Sequence, residues 1–221
     1  ATRTQRMQTH KLMHAKVVRL ARATRRYKVT GRLAQAGAQA AGGYGHQLHG
    51  VFGTQMILFR RRLGDALGPR LQGRCLTTLL DLQAASQDPA RKFPREAAHL
   101  WLSTWIQAGP LQKSIDYTWP KIVDHLRSLP AGHRVRHVRG PQSAMIHYLM
   151  EQGWDPKAPT EWSLPTGLLG QDGQDTWEFD AAQLTGNPAV DISADLLHDL
   201  DRSVQAKYWL QASAHYGGSG M

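Results

Sequence analysis

The sequence predicts a mainly α chain: a multi-helix, bundle-like array with a small β-hairpin near the C-terminal end. Three observations carry this expectation. Apolar residues recur at three- and four-residue steps through most of the 221 residues. The pairs Gly42-Gly43, Gly68-Pro69, Gly109-Pro110 and Gly140-Pro141 punctuate those periodic segments. Only two short pieces, Glu161 to Leu164 and Thr176 to Phe179, read as strand, with Gly and Pro turns between them.

The first helix is expected over residues 4–28. Met13, Val17, Leu20, Thr24 and Tyr27 form its apolar stripe, and Lys11, Lys16, Arg19, Arg22 and Arg26 fall on the opposite half. Like charges at these spacings repel, and a polyanion relieves the repulsion. An alanine-rich segment, 29–41, suits close helix packing and stops at Gly42-Gly43. A compact link with His46 and His49 follows. Metal ligation by that pair is weighed against ordinary local hydrogen bonding, which their isolation favours. Thr54 is read as the N-cap of a helix that buries Met56, Phe59, Leu63 and Leu67 and turns Arg60, Arg61 and Arg62 outward or sideways.

After Gly68-Pro69 a helix over about 74–85 turns Leu76, Leu79 and Leu80 inward, with Cys75 read as a small buried hydrophobe. Asp88 caps the next helical region and Pro89 takes its first position, with a restart allowed at Pro94. Trp101 and Trp105 in that region could stack bases, but their helical spacing with Ala98 and Leu102 fits a core face better. Pro120 is read as opening a short helix with Ile122, Val123, Leu126 and Leu129 inward, and Pro130 as ending it. Residues 131–140 are read as a basic loop. Gly140-Pro141 then opens a helix with Met145, Ile146 and Leu149 inward and Gly153 at its end. The last helix begins near Ser193 and buries Leu196, Leu200, Val204 and Tyr208. Asp195, Asp199 and Asp201 on it read as a solvated face.

The net charge of +10 is unevenly distributed. Residues 1–64 carry 13 Lys and Arg and no acid, whereas residues 141–221 carry 3 basic and 11 acidic residues. Such asymmetry points to a polyanionic partner at the basic end. The change of composition near Gly140 is the expected boundary between a basic helical part, 1–139, and a smaller acidic α+β part, 140–221. The single cysteine, Cys75, excludes an intrachain disulfide and any multi-cysteine zinc site. No apolar run reaches membrane-spanning length. The basic N-terminus has no apolar core of a secretory signal, although an acid-poor transit peptide would fit it. The start at Ala1 and the GGSGM tail suggest a fragment or processed product of an intracellular protein, nuclear or cytoplasmic.

No phosphate-binding loop, dinucleotide-binding glycine pattern or nucleophile elbow is present. His10 and His14 have i, i+4 spacing without the glutamate of the zinc-protease motif. Nothing therefore predicts a catalytic site, a metal, a cofactor or a small-molecule substrate.

The glycine-punctuated middle of the sequence does carry a pattern. It comprises Ala36-Gly37, Tyr44-Gly45, Gly50, Ala66-Leu67-Gly68, Arg74-Cys75-Leu76-Thr77, Gly140-Pro141 and Gly153-Trp154, in that order after a basic helix. This resembles the region just after the reverse-transcriptase core in polyproteins of non-LTR (LINE-like) retrotransposons, especially those abundant in protists such as dinoflagellates. The resemblance covers most of the sequence and rests on structural rather than catalytic residues. It implies a thumb-like and connecting region, with residues 1–139 as the thumb-like part. It also implies an upstream palm, in the same polyprotein, that carries the polymerase aspartates. This chain has no Asp-Asp pair, so the polymerase site is absent from it. The implied partner is the backbone of RNA or of an RNA–DNA hybrid. Phosphate contacts need Lys and Arg rather than base-reading groups. The candidates are Lys11, Lys16, Arg19, Arg22, Arg25, Arg26, Lys28, Arg32, Arg60, Arg61 and Arg62, with Arg134, Arg136 and Arg139 as a second group. The competing expectation is a stand-alone helical protein-interaction or assembly module.

Overall fold

The computed structural model describes residues 43–51, 53–67, 74–168, 173–179 and 194–217, with side chains of the last helix described as far as 211. The helix expected over 4–28 and the alanine-rich segment lie outside them. The described part is mainly α. Its elements are α1 (His46–His49), α2 (Gly53–Leu67), α3 (Leu76–Ala84), α4 (Pro89–Ala108), α5 (Gln112–Ser128), α6 (Ala131–Arg134), α7 (Pro141–Glu151), β1 (Asp155–Ala158), β2 (Glu161–Ser163), β3 (Thr176–Glu178) and α8 (Ala194–Gly217). The protein divides into two compact units: residues 1–44 with 53–92, and residues 45–52 with 93–221. The division by packing runs through α4, whereas Gly140 marks a change of composition.

In the first unit α2 lies against α3. Leu63, Leu80 and Ala84 form the buried centre, with Leu67 and Leu76 packed on them. Gly64 permits this approach, because a Cβ there would collide with Leu76 Cδ1. α2 begins at Gly53, so Thr54 lies inside its first turn instead of preceding it. Asp88 does cap α4: the Ala90 amide donates to its Oδ1 at 3.0 Å.

The second unit is built around tryptophan. Trp101, Trp119 and Trp162 are fully buried, and the Trp101 and Trp119 rings are 5.0 Å apart. Leaving a buried N–H without an acceptor is costly; the indoles of Trp105 and Trp162 have none, but three others find acceptors on other elements. Trp101 Nε1 donates to the Pro159 carbonyl at 2.8 Å, Trp119 Nε1 to the Pro156 carbonyl at 2.9 Å, and Trp154 Nε1 to Ser203 Oγ at 3.0 Å. These bonds join α4, α5 and α8 to the segment around β1. Trp101 and Trp105 are thus core residues with no face left for a base.

The expected two-stranded hairpin is a three-stranded antiparallel sheet in the order β1-β2-β3. Trp162 pairs with Pro156 on one side and with Trp177 on the other. β1 escapes sequence reading because Asp-Pro-Lys-Ala has none of the β-branched or aromatic residues that mark a strand. Pro156 is tolerated there because β1 is an edge.

Pro94 and Pro120 do not break the helices they occur in: both lie inside, in α4 and α5 respectively. Proline removes one ladder hydrogen bond and crowds the preceding turn. In α5 the neighbouring Trp119, fully buried and hydrogen-bonded, holds the helix through that point. Residues 131–137, expected as loop, form α6 and a 3₁₀ turn, Val135–His137. The turn is pinned by buried Val135 and Val138.

α8 buries Leu196, Leu200 and Val204, while Tyr208 is only half-buried. Its acids are not a solvated face. Asp199 is buried and accepts from Trp177 Nε1 at 3.1 Å, and Asp201 pairs with Arg95 of α4. Asp195 is exposed. Among the described residues no helix is long and apolar enough to cross a membrane.

Candidate nucleic-acid interface

Of the expected phosphate contacts, Lys11, Lys16, Arg19, Arg22, Arg25, Arg26, Lys28 and Arg32 lie outside the described residues. Those that remain behave differently from one another. Arg60 is 4% exposed and does not face outward. Its Nε lies 3.0 and 2.9 Å from the two carboxylate oxygens of Asp88, and Nη2 lies 2.9 Å from Oδ2. The reason is positional. Arg60 follows Phe59 on the inward side of α2, and a buried cation needs a carboxylate. Asp88 thereby serves two groups, the Arg60 guanidinium and the first turn of α4. Arg61 is exposed and Arg62 half-buried.

The second group divides too. Arg134 turns inward, its Nε donating to the Leu126 carbonyl at 3.0 Å and the Leu129 carbonyl at 3.4 Å. These are carbonyls left without helical partners at the end of α5, so the Arg134 guanidinium caps that helix end. Arg136 and Arg139 are exposed and carry no ion pair among the described residues.

Around these two lie groups that charge counting alone missed. Lys121 and His125 project from successive turns of α5, and His133 and His137 from the following turns; all four are exposed. His125 Nε2 lies 3.2 Å from His137 Nδ1, which ties the α5 face to the 3₁₀ turn. Lys121 stands over the Tyr117 ring at 3.6 Å. Arg127 is neutralised by Asp155. Asp124 is an exposed acid on the same helix. The outcome is a cationic surface on residues 121–139 with a histidine pair at its middle. The sequence signal was the spacing Lys121–His125 at i, i+4, read together with the run HRVRHVR.

Elsewhere, buried polar groups hold the fold. His46 donates or accepts at both nitrogens: Nε2 lies 2.7 Å from Glu96 Oε2 and Nδ1 3.2 Å from the Tyr148 hydroxyl. Its ring stacks on Phe93 at 4.2 Å. These partners lie 50 and 102 residues away along the sequence, so the hydrogen bonding of this histidine is long-range and not the local bonding expected. Burial pushes the Tyr148 hydroxyl well above its ordinary pKa, with the Glu96 charge adding to the rise. His147 is buried in α7, with Nε2 3.3 Å from the Val51 carbonyl and Nδ1 without a partner. Burial drives its pKa down, against the opposing pull of Glu151. His99 is also shifted down by burial, with Arg95 contributing.

Cys75 is half-exposed just before α3. Burial raises its thiol pKa, but the Thr78 hydroxyl, the Thr78 and Thr77 amides and the Arg60 charge outweigh that and leave it lowered. Among the contacts described, none places a general base beside it. Among the described residues no group of three or more His, Cys, Asp or Glu could hold a metal ion. No family model matches the sequence, and no curated protein or solved structure is significantly similar to it.

Proposed function

We propose that this protein binds the phosphate backbone of RNA or an RNA–DNA hybrid, without sequence preference and without chemistry of its own. The observation that carries the proposal is the exposed cationic surface on residues 121–139, in which Arg136 and Arg139 have no carboxylate partner among the described residues. The acid-free first 64 residues are a second cation-rich stretch of the sequence. The likeness to the segment after a retrotransposon reverse-transcriptase core gives the reading its context. On it, the protein grips template and primer while an upstream palm, in the same polyprotein, supplies the aspartates for polymerisation.

The test is a salt titration of binding to an RNA–DNA hybrid. Log K should fall linearly with log salt, because phosphate neutralisation releases condensed counterions. Arg136→Ala and Arg139→Ala should each weaken binding equally on unrelated sequences and flatten the slope by about one unit. A flat salt dependence, or a slope unaltered in the double variant, would refute the role of this surface.

A protein-assembly reading draws on a different observation. Leu82, Leu111, Tyr117 and Leu210 are exposed by 81, 64, 67 and 70%. That reading expects self-association that persists after nuclease treatment, and it is separable from the first by light scattering with and without nuclease.

A further inference from the structure

The histidine pair in the middle of the cationic surface has a geometry that phosphate binding does not require. His125 stands near the C-terminal end of α5 and His137 ends the 3₁₀ turn. Their nitrogens, Nε2 and Nδ1, are 3.2 Å apart, with ring centroids at 5.0 Å and planes at 65°. Both rings are exposed, so water can satisfy each nitrogen separately and no packing force presses the rings together. What fixes their spacing is the backbone beneath them. Leu126 is fully buried beside His125, and Val135 and Val138 are buried around His137. Arg134 bonds the two segments together through the Leu126 and Leu129 carbonyls.

In the hydrogen bond between them one ring donates its N–H to the lone pair of the other, and moving that proton to the donor ring's second nitrogen leaves two lone pairs facing one point. A tetrahedral zinc ion with Zn–N bonds of about 2.0–2.1 Å separates its nitrogen ligands by roughly 3.3 Å, and a square-planar ion brings them somewhat closer. The observed separation of 3.2 Å, now spanned by a hydrogen bond, is close to the bite of such a chelate. We propose that His125 and His137 form a surface site for one borderline divalent transition metal, Zn²⁺, Ni²⁺ or Cu²⁺, with water completing the coordination. Imidazole nitrogen selects these ions over Mg²⁺ and Ca²⁺, which take oxygen ligands. The absence of any larger ligand group among the described residues makes this a two-ligand, open site. The surrounding charge limits its affinity. Lys121 and Arg136 oppose a dication, Asp124 favours it, and Arg127 is offset by Asp155. The bound ion would clamp the end of α5 to the turn that carries Arg136.

The experiment uses the protein bearing His10→Ala and His14→Ala, which removes a second histidine pair at helical chelating spacing. His133→Ala in the same background should leave binding unchanged and so excludes the pair His133–His137, while His46 of the pair His46–His49 is already committed to Glu96 and Tyr148. Zn²⁺ is titrated calorimetrically, and Cu²⁺ is followed by electron paramagnetic resonance. One ion per molecule is expected, with hyperfine structure from two nitrogens. Losing an outer-shell partner already costs about 10–100-fold in affinity, so His125→Ala or His137→Ala should cost at least tenfold, and the double variant little more. These residues are exposed, so circular dichroism should show the fold unchanged. Full-affinity binding after either substitution, a single-nitrogen spectrum, or loss of all binding in the His10/His14 background would each overturn the site.

Discussion

At the scale of the residue, the least predictable side chain is Arg60. It sits in a run of three arginines and reads as surface charge, yet it is buried with Asp88. Periodicity places Phe59 inside but does not say how far the inward arc extends, and no spacing rule links residues 28 positions apart. Because both partners are almost fully buried, removing one strands the other. Asp88→Ala should therefore cost about 3–5 kcal/mol, and it also removes the α4 cap. Arg60→Met with Asp88→Asn should lose much less, since it leaves no uncompensated charge. Denaturant unfolding of the two variants distinguishes these outcomes.

His147 makes a second residue-scale prediction. Its folded-state pKa is lowered, chiefly by burial, so the unfolded state binds a proton more readily than the folded one. Stability is then full above the unfolded value of about 6.5 and is lost as pH falls from there toward the lowered folded value. His99 acts in the same direction in the same window. The melting temperature should drop between pH 7.5 and 5.5, and His147→Gln should shrink that drop. Gly50 belongs to the same corner of the fold. At φ 64 and ψ −178 it occupies a region that L residues avoid, and a Cβ would stand 2.8 Å from His147 Cδ2. Gly50→Ala should cost about 1–3 kcal/mol or more by the same unfolding measurement.

At the scale of the element, the longer described helices were legible, whereas the short α1 and α6 and most helix ends were not. The apolar spacing of Trp101, Leu102 and Trp105, and of Val123 and Leu126, marks faces that are buried in the structure. Pro120, expected to open a helix, and Pro94, where a restart was allowed, both lie inside helices because packing overrides local propensity. Trp119, immediately before Pro120, anchors α5 to the Pro156 carbonyl, and that contact lies 37 residues along the sequence. Trp119→Phe keeps much of the ring's bulk but strands the carbonyl, and should cost about 1–3 kcal/mol. Pro120→Ala should instead raise the melting temperature, because it restores a ladder bond. β1 was illegible for a related reason: its partner across the sheet, not its own composition, makes it a strand.

At the scale of the whole molecule, charge separates along the sequence, but exposure decides which charges meet solvent. The acidic C-terminal part uses Asp199 and Asp201 internally, paired with Trp177, Arg202 and Arg95. The basic part commits Arg60 and Arg134 to structure. A count of residues therefore overstates both surfaces, and the cations available to a polyanion among the described residues centre on Lys121, Arg136 and Arg139. Reversing the last two, as Arg136→Glu and Arg139→Glu, should reduce hybrid binding more than neutralising them, with no change in thermal stability. Filter binding at two salt concentrations beside a thermal melt checks both halves of that expectation.

The order of the small sheet has a consequence for how this protein meets extended peptides. One border, β1, contains Pro156, which lacks an amide hydrogen, and Lys157, a charge that an incoming strand would have to desolvate. That border is closed to strand addition. The other, β3, carries Thr176, Trp177 and Glu178 with ordinary peptide groups and has no further strand beside it among the described residues. Any segment that extends this sheet would do so from one side, beside Trp177, and it would add a fourth strand without disturbing the tryptophan-anchored strand on the far side.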